Sequence, residues 1–229
     1  MSTVYAPTSE AVVRHVDTDS LVKRAMAFGA LQVLAGLGLA TNIVATVRQI
    51  PLLAQERSAL ADLSRLDDVR SASTTAALIL SLLAGVAFLV WVHEAVRNQE
   101  AIASLPPPWS PAGTVGRLFV PIYNFYVFYR AFQGLWSSSG PARPIQDEGN
   151  PAVGLLVVLG VVLMIANILI NQEFNELNRW GRPSIEAVRA ALQHSAALQT
   201  GLLAFGILQT WLVVAITLRQ HRHYGSREP

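Results

Sequence analysis

Apolar residues along this chain are bunched into runs instead of recurring with a helical or strand period. Four stretches lack any charged side chain: residues 25–47, 71–92, 150–172 and 195–218. Each is a little over twenty residues long. At about 1.5 Å of rise per residue, a helix of that length crosses a hydrocarbon core roughly 30 Å thick. The run "LLVVLGVVLMIANILI", residues 155–170, has no polar face. A helix apolar all round suits lipid, whereas the helix of a soluble bundle keeps a wet side. The pattern predicts an all-α fold, an integral membrane bundle of four transmembrane helices. Its limits are a polar N-terminal tail over 1–24, a membrane domain over 25–219 and a basic C-terminal tail over 220–229.

One segment breaks the pattern. "GRLFVPIYNFYVFYRAFQGLW", residues 116–136, carries eight of the eighteen aromatic residues, two arginines and a proline. Only twelve residues separate Arg117 from Arg130, about 18 Å as helix, too short to cross. With Pro121 at the first helical position, a helix over 121–136 sets Ile122, Phe125, Tyr129, Phe132 and Trp136 on one apolar face. Tyr123, Tyr126, Arg130 and Gln133 then share a more polar one. Tyr and Trp favour the headgroup level and Arg can extend its charge to water. The expectation is an interfacial amphipathic helix in the second loop, in the membrane plane or dipping in against the spans. The flanks "SLPPPWSPAG" and "SSSGPARPIQDEGNP" read as linkers.

The two outer connections, 48–70 and 173–194, both contain helix-forming sequence, so each hairpin of spans should extend beyond the bilayer as helix, with Ser184 capping the second. The similar endings "NIVATV" and "NILINQ" of the first and third spans hint at an internal duplication.

Composition agrees with the pattern: 52% of residues are hydrophobic and 14% charged. The absence of cysteine excludes disulfides, thiolate metal sites and cysteine nucleophiles. The formal charge of +2 is spread over all the loops, so no nucleic-acid partner is expected. All but one of the seventeen basic residues are arginine, which fits a GC-rich bacterial genome. Ten bases fall in the two tails and the second loop, and seven in the outer loops. The positive-inside rule then places both termini in the cytoplasm, in the bacterial inner membrane.

Polar chemistry concentrates at the end of the second span. On a helix His93 and Arg97 share a face, and Glu94 meets Arg97 and Asn98 at three and four residues. This cluster could anchor the aromatic segment, Glu94 offering charge to Arg97 or Arg130 and Asn98 bonding backbone freed near Pro121. His93 and His194 lie at opposite ends of spans, which rules out a shared haem. His221 and His223 belong to a solvated basic tail more readily than to a metal site. No catalytic, metal or cofactor-binding residue is expected, and no cofactor. No span has an ionisable residue in its core. The spans hold Gln32, Asn42, Ser81, Asn167 and Gln209, with the small residues Ala77, Ser81, Gly85, Gly36 and Ala40. Such residues serve internal packing or a dimer face.

Three motifs, "WVHEAVRN" (91–98), "WSP" (109–111) and "VPIYNFYVFYRAFQGLW" (120–136), together resemble the bacterial domain-of-unknown-function 4328 (DUF4328) family. The resemblance implies a small multi-span membrane protein and no established activity. It draws attention to Trp91, His93, Glu94, Arg97, Asn98, Pro121, Asn124, Tyr126, Arg130 and Trp136 as a structural or partner cluster. Phe128 stands where that family would have a second proline and Glu94 where a base is commoner; the missing proline should leave a more continuous helix after Pro121. The function expected is a non-enzymatic scaffold or accessory subunit in the lipid bilayer, binding another membrane protein or a second copy of itself. The alternative is a small carrier or pore for a lipid or apolar solute, and a membrane enzyme using Glu94 and His93 comes last.

Overall fold

The computed structural model describes residues 16–53, 60–102, 107–139, 149–179 and 184–224. Outside them lie most of both tails, His15, Pro183 and the central parts of the two linkers flanking the aromatic segment. Six helices make up the described chain: α1 Thr18–Leu52, α2 Leu60–Ile102, α3 Pro111–Arg117, α4 Tyr123–Ser138, α5 Pro151–Arg179 and α6 Ile185–Tyr224. No strand occurs among the described residues. Four of the helices, α1, α2, α5 and α6, are long and apolar enough to cross a membrane.

α1, α2 and α6 overrun their uncharged stretches at both ends, and α5 overruns its own past residue 172. Polar helix-forming sequence carries α2 from Leu60 through "LADLSRLDDVR" without a break, and the α1 chain enters its helix at Thr18. Asp17 caps that start, accepting a bond from the Ser20 amide at 2.8 Å. Ser184 does the same for α6 through the Ala187 amide, 3.2 Å, as its sequence position predicts.

The spans run up and down, so the first and last described helices share one end of the bundle: His221 Nδ1 lies 3.3 Å from Thr18 Oγ1. We call this the terminal end and the opposite one the hairpin end. α1 packs on α2 and α6, and α6 packs on α5. Small residues allow the close approaches. A Cβ at Gly38 would stand 3.0 Å from that of Ala77, and one at Gly36 would stand 3.1 Å from Leu203.

The aromatic segment is the exception to simple up-and-down order. α3 leads toward the bundle interior, a turn follows, and α4 returns to the terminal end, wedged between α2 and α5. At its beginning Phe125 meets Gly160, nine residues into α5 and hence about 14 Å along it. At its far end Gln133 clamps the start of α5, accepting from the Asn150 amide at 2.7 Å and donating to the Asn150 carbonyl at 3.0 Å.

Two expectations change here. Pro121 is not the first residue of the helix; it opens a tight γ-turn in which the Tyr123 amide donates to the Pro121 carbonyl at 2.7 Å. Ile122 sits at its centre with φ 65° and ψ −49°, a conformation that is rare and strained for a β-branched side chain. The inward face also differs, since α4 buries Val127, Ala131, Phe132 and Leu135 while Ile122 and Tyr129 are exposed. A helix inserted between two spans buries the strip that touches them, and its remaining rings need no protein cover in lipid.

The packed core gathers at the terminal half. Phe88 stacks on Phe132 and Phe128 at 5.8 and 6.3 Å, and Trp91 and Phe28 lean on the same group. The hairpin half is built differently.

Candidate functional site

Two places compete for function, the polar cluster named by the sequence and a cavity that the sequence does not announce.

At the terminal end the structure brings together part of the sequence-derived set. Trp91 is fully buried and its indole nitrogen donates to Thr217 Oγ1 at 3.0 Å, tying α2 to α6. Glu94 is buried, with a side chain only 2% exposed. Its Oε2 accepts from Arg24 Nη1 at 2.7 Å, and Arg97 Nη2 stands 3.5 Å from Oε1. The carboxylate therefore joins α2 to α1, and of the two partners expected for it, Arg97 or Arg130, it is Arg97 that stands beside it. Asn98 donates to the Asp17 carbonyl at 3.1 Å, and so secures the start of α1 instead of the backbone near Pro121. In both cases the partner is some seventy or eighty residues away and no local spacing could reveal it. His93 is half-buried along the same helix.

The rest of the set belongs to the wedge. Trp136 stacks under the Arg219 guanidinium, 4.1 Å from its centroid, with Trp211 at 6.4 Å, which binds α4 to α6. Tyr126 lies half exposed between Trp109 and Tyr123. Asn124 has a shielded side-chain oxygen with no hydrogen-bond partner among the described residues. Arg130 and Pro121 are exposed. This arrangement is cross-bracing. Among the described residues no three His, Cys, Asp or Glu side chains group as a metal site would require.

The hairpin half holds a cavity of about 940 Å³ bounded by α1, α2, α5 and α6. It exists because α4 fills the seam between α2 and α5 only over the terminal half; beyond Phe125 those two spans make at most marginal contact. Its floor includes Phe205, whose ring also meets Gly160 of α5. Leu39, Leu198, Leu202 and Leu203 give it an apolar wall, and among the described residues no ionisable side chain lines it. Polar character comes from amides and hydroxyls. Gln32 Nε2 donates to Gln209 Oε1 at 3.2 Å, bridging α1 and α6. Asn42 donates to Thr74 Oγ1 and to the Arg70 carbonyl, bridging α1 and α2. Asn167 and Asn171 on α5 turn toward the empty seam, with Asn171 Nδ2 3.3 Å from Asn167 Oδ1. Gln199 bonds Ser195 at 3.2 Å through Nε2, and its Oε1 is shielded and has no hydrogen-bond partner among the described residues.

A second recess of about 430 Å³ joins this cavity at the hairpin end, sharing Asn42, Thr74, Ser195 and Gln199. Asp67 and Arg70 line it and neutralise one another at 2.8 Å. Nearby, His194 Nδ1 lies 2.9 Å from Glu173 Oε2 and clasps α5 to α6.

The sequence marks Gln32, Asn42, Ser81, Asn167 and Gln209 as amides and hydroxyls within the spans, and all five prove to line the cavity. Asn171, Ser195 and Gln199 were not singled out; their only signal was helical spacing from those positions.

A family described as Domain of unknown function (DUF4328) matches residues 54–218, which takes in three of the four spans and the whole wedge. No curated protein and no solved structure matches the chain.

Proposed function

The chain belongs to this family, and from that premise we propose that it is a non-enzymatic membrane protein that holds and carries a lipid or apolar solute in the cavity of its bundle. What supports the reading is the void itself: about 940 Å³ lies near the upper end of the roughly 300–1,000 Å³ usual for small-molecule sites. Its walls are apolar with a few uncharged hydrogen-bonding groups, the lining expected for such a ligand. In this reading α4 is the interfacial element that props α2 and α5 apart.

In the same reading the termini face the cytoplasm, which the bases near the terminal ends of α1, α2 and α6, Lys23, Arg24, Arg97, Arg219 and Arg222, support. A scaffold role that recruits another membrane protein or a second copy is the second reading. One observation favours it: Gly85 and Gly154 open onto free space, where another helix could approach closely.

Lipid analysis separates the two. The full chain, extracted in mild detergent and examined by native mass spectrometry, retains one small amphiphile per protein. Leu202→Trp, which fills the cavity, loses it while the melting temperature holds. Purified protein carrying no such molecule, together with a stable dimer broken by Gly85→Leu, would overturn the carrier reading in favour of the scaffold.

A further inference from the structure

Resting on the carrier reading, we infer that the molecule held is a membrane amphiphile with an uncharged, hydrogen-bonding head and an apolar tail, and that it reaches the cavity sideways through the seam between α2 and α5.

The seam argues for the route. α4 closes it over the terminal half, with Phe128 and Phe132 on Phe88 of α2 and Phe125 on Gly160 of α5. Above the wedge nothing among the described residues takes that place. Thr74, Leu78 and Ser81 of α2 and Asn167 and Asn171 of α5 line the cavity and are nevertheless exposed, which makes them the two lips of a slot. Leu82 on α2 and Ile168 and Leu169 on α5, close by along the same helices, are exposed apolar residues suited to acyl chains. Hydrocarbon therefore meets the slot directly, and a molecule already in the bilayer need not cross water to enter.

Charge argues for the head. A net-charged group inside would find no counter-ion among the described lining residues and would lose its hydration. A purely hydrocarbon guest would in turn leave the Gln199 oxygen, which has no partner among the described residues, still unsatisfied. Both requirements are met by hydroxyl, ether or amide groups placed at the hairpin end, among Asn42, Thr74, Asn171, Ser195 and Gln199. The tail then lies against Leu198, Leu202 and Phe205, toward the floor. The adjoining recess with its self-neutralised Asp67–Arg70 pair gives the head room without imposing a charge.

The test uses the full chain in phosphatidylcholine nanodiscs containing a trace of diacylglycerol or of phosphatidic acid, both bearing the same diazirine-tagged acyl chain. After photolysis, labelled peptides are mapped by mass spectrometry. Diacylglycerol should label residues 198–205 about tenfold more than phosphatidic acid, corresponding to about 1.4 kcal/mol. Leu78→Trp or Ser81→Trp, at exposed lip positions that tolerate bulk, should cut that labelling several-fold, while Val86→Trp, exposed on α2 away from the cavity, should not.

Equal labelling of 198–205 by both probes overturns the uncharged head and leaves the carrier reading standing. Labelling indifferent to both lip variants overturns the sideways route. If neither probe reaches the cavity residues while both label Leu82 and Ile168, the carrier reading itself fails, and this inference with it.

Discussion

Removing Arg24 should harm the protein more than neutralising the carboxylate it serves. Glu94 is 2% exposed at its side chain, Arg24 34% and Arg97 54%. Desolvation therefore falls almost wholly on the acid, and Arg24 could be hydrated without its partner. Among the described residues, Arg24→Met leaves a buried carboxylate with only Arg97, at 3.5 Å, beyond hydrogen-bond quality. Breaking a buried pair from one side typically costs about 3–5 kcal/mol; the surviving arginine offsets part, which puts the loss near 2–3 kcal/mol. Glu94→Gln keeps the shape and removes the charge, and should cost about 1 kcal/mol, the net worth of one hydrogen bond. In the double variant the buried charge is gone, so its stability should lie close to that of Glu94→Gln, with a coupling of about 2 kcal/mol. Unfolding by SDS titration from dodecyl maltoside micelles, followed by helical circular dichroism, measures all three. Additive effects, or an Arg24→Met loss no greater than that of Glu94→Gln, would refute the claim that this carboxylate depends on a partner from α1.

Three further outcomes follow from the geometry. Ile122→Gly should stabilise the fold by about 1 kcal/mol in the same titration, because glycine accepts the positive φ that strains isoleucine and the side chain lost is 81% exposed. Gly38→Ala should cost about 1–3 kcal/mol, since its Cβ would press within 3.0 Å of the Ala77 Cβ and 3.3 Å of its Cα. Gly85→Ala, with free space around it, should instead be neutral or gain up to about 1 kcal/mol from helix propensity. For orientation, Ser137→Cys and Ser64→Cys in the cysteine-free chain should react with impermeant maleimide from opposite sides, Ser137→Cys from the cytoplasm. The reverse pattern would invert the proposed topology.

The spans were legible because lipid imposes a simple rule: an uncharged run of sufficient length needs no partner to be recognised. Helix ends were less so, since α2 passes from "LDDVR" into its apolar core without any breaker, and charge alone marks the change of surroundings. The twelve-residue limit left 117–130 too short to cross, and in the fold that interval is divided between α3 and α4. It could not tell a helix standing apart from the spans from one set between α2 and α5, because that difference rests on Phe125 meeting Gly160. The partners of Glu94 and Asn98 were hidden for the same reason, both being on the first helix. The reading of Gln32, Gln209 and Asn42 as internal packing is borne out by the bonds they make across helices. A cavity leaves no such trace. It is produced by what α4 fails to fill, and no residue pattern encodes an omission.

The wedge also constrains the order of biogenesis. α4 emerges from the ribosome before α5, yet two points of its seat, Gly160 in α5 and Asn150 immediately before it, come later in the chain. During synthesis the aromatic hairpin must therefore wait, unanchored on one side, until the third crossing has left the translocon. Its firm docking is a late, post-insertion event that also fixes how far apart the second and third crossings stand.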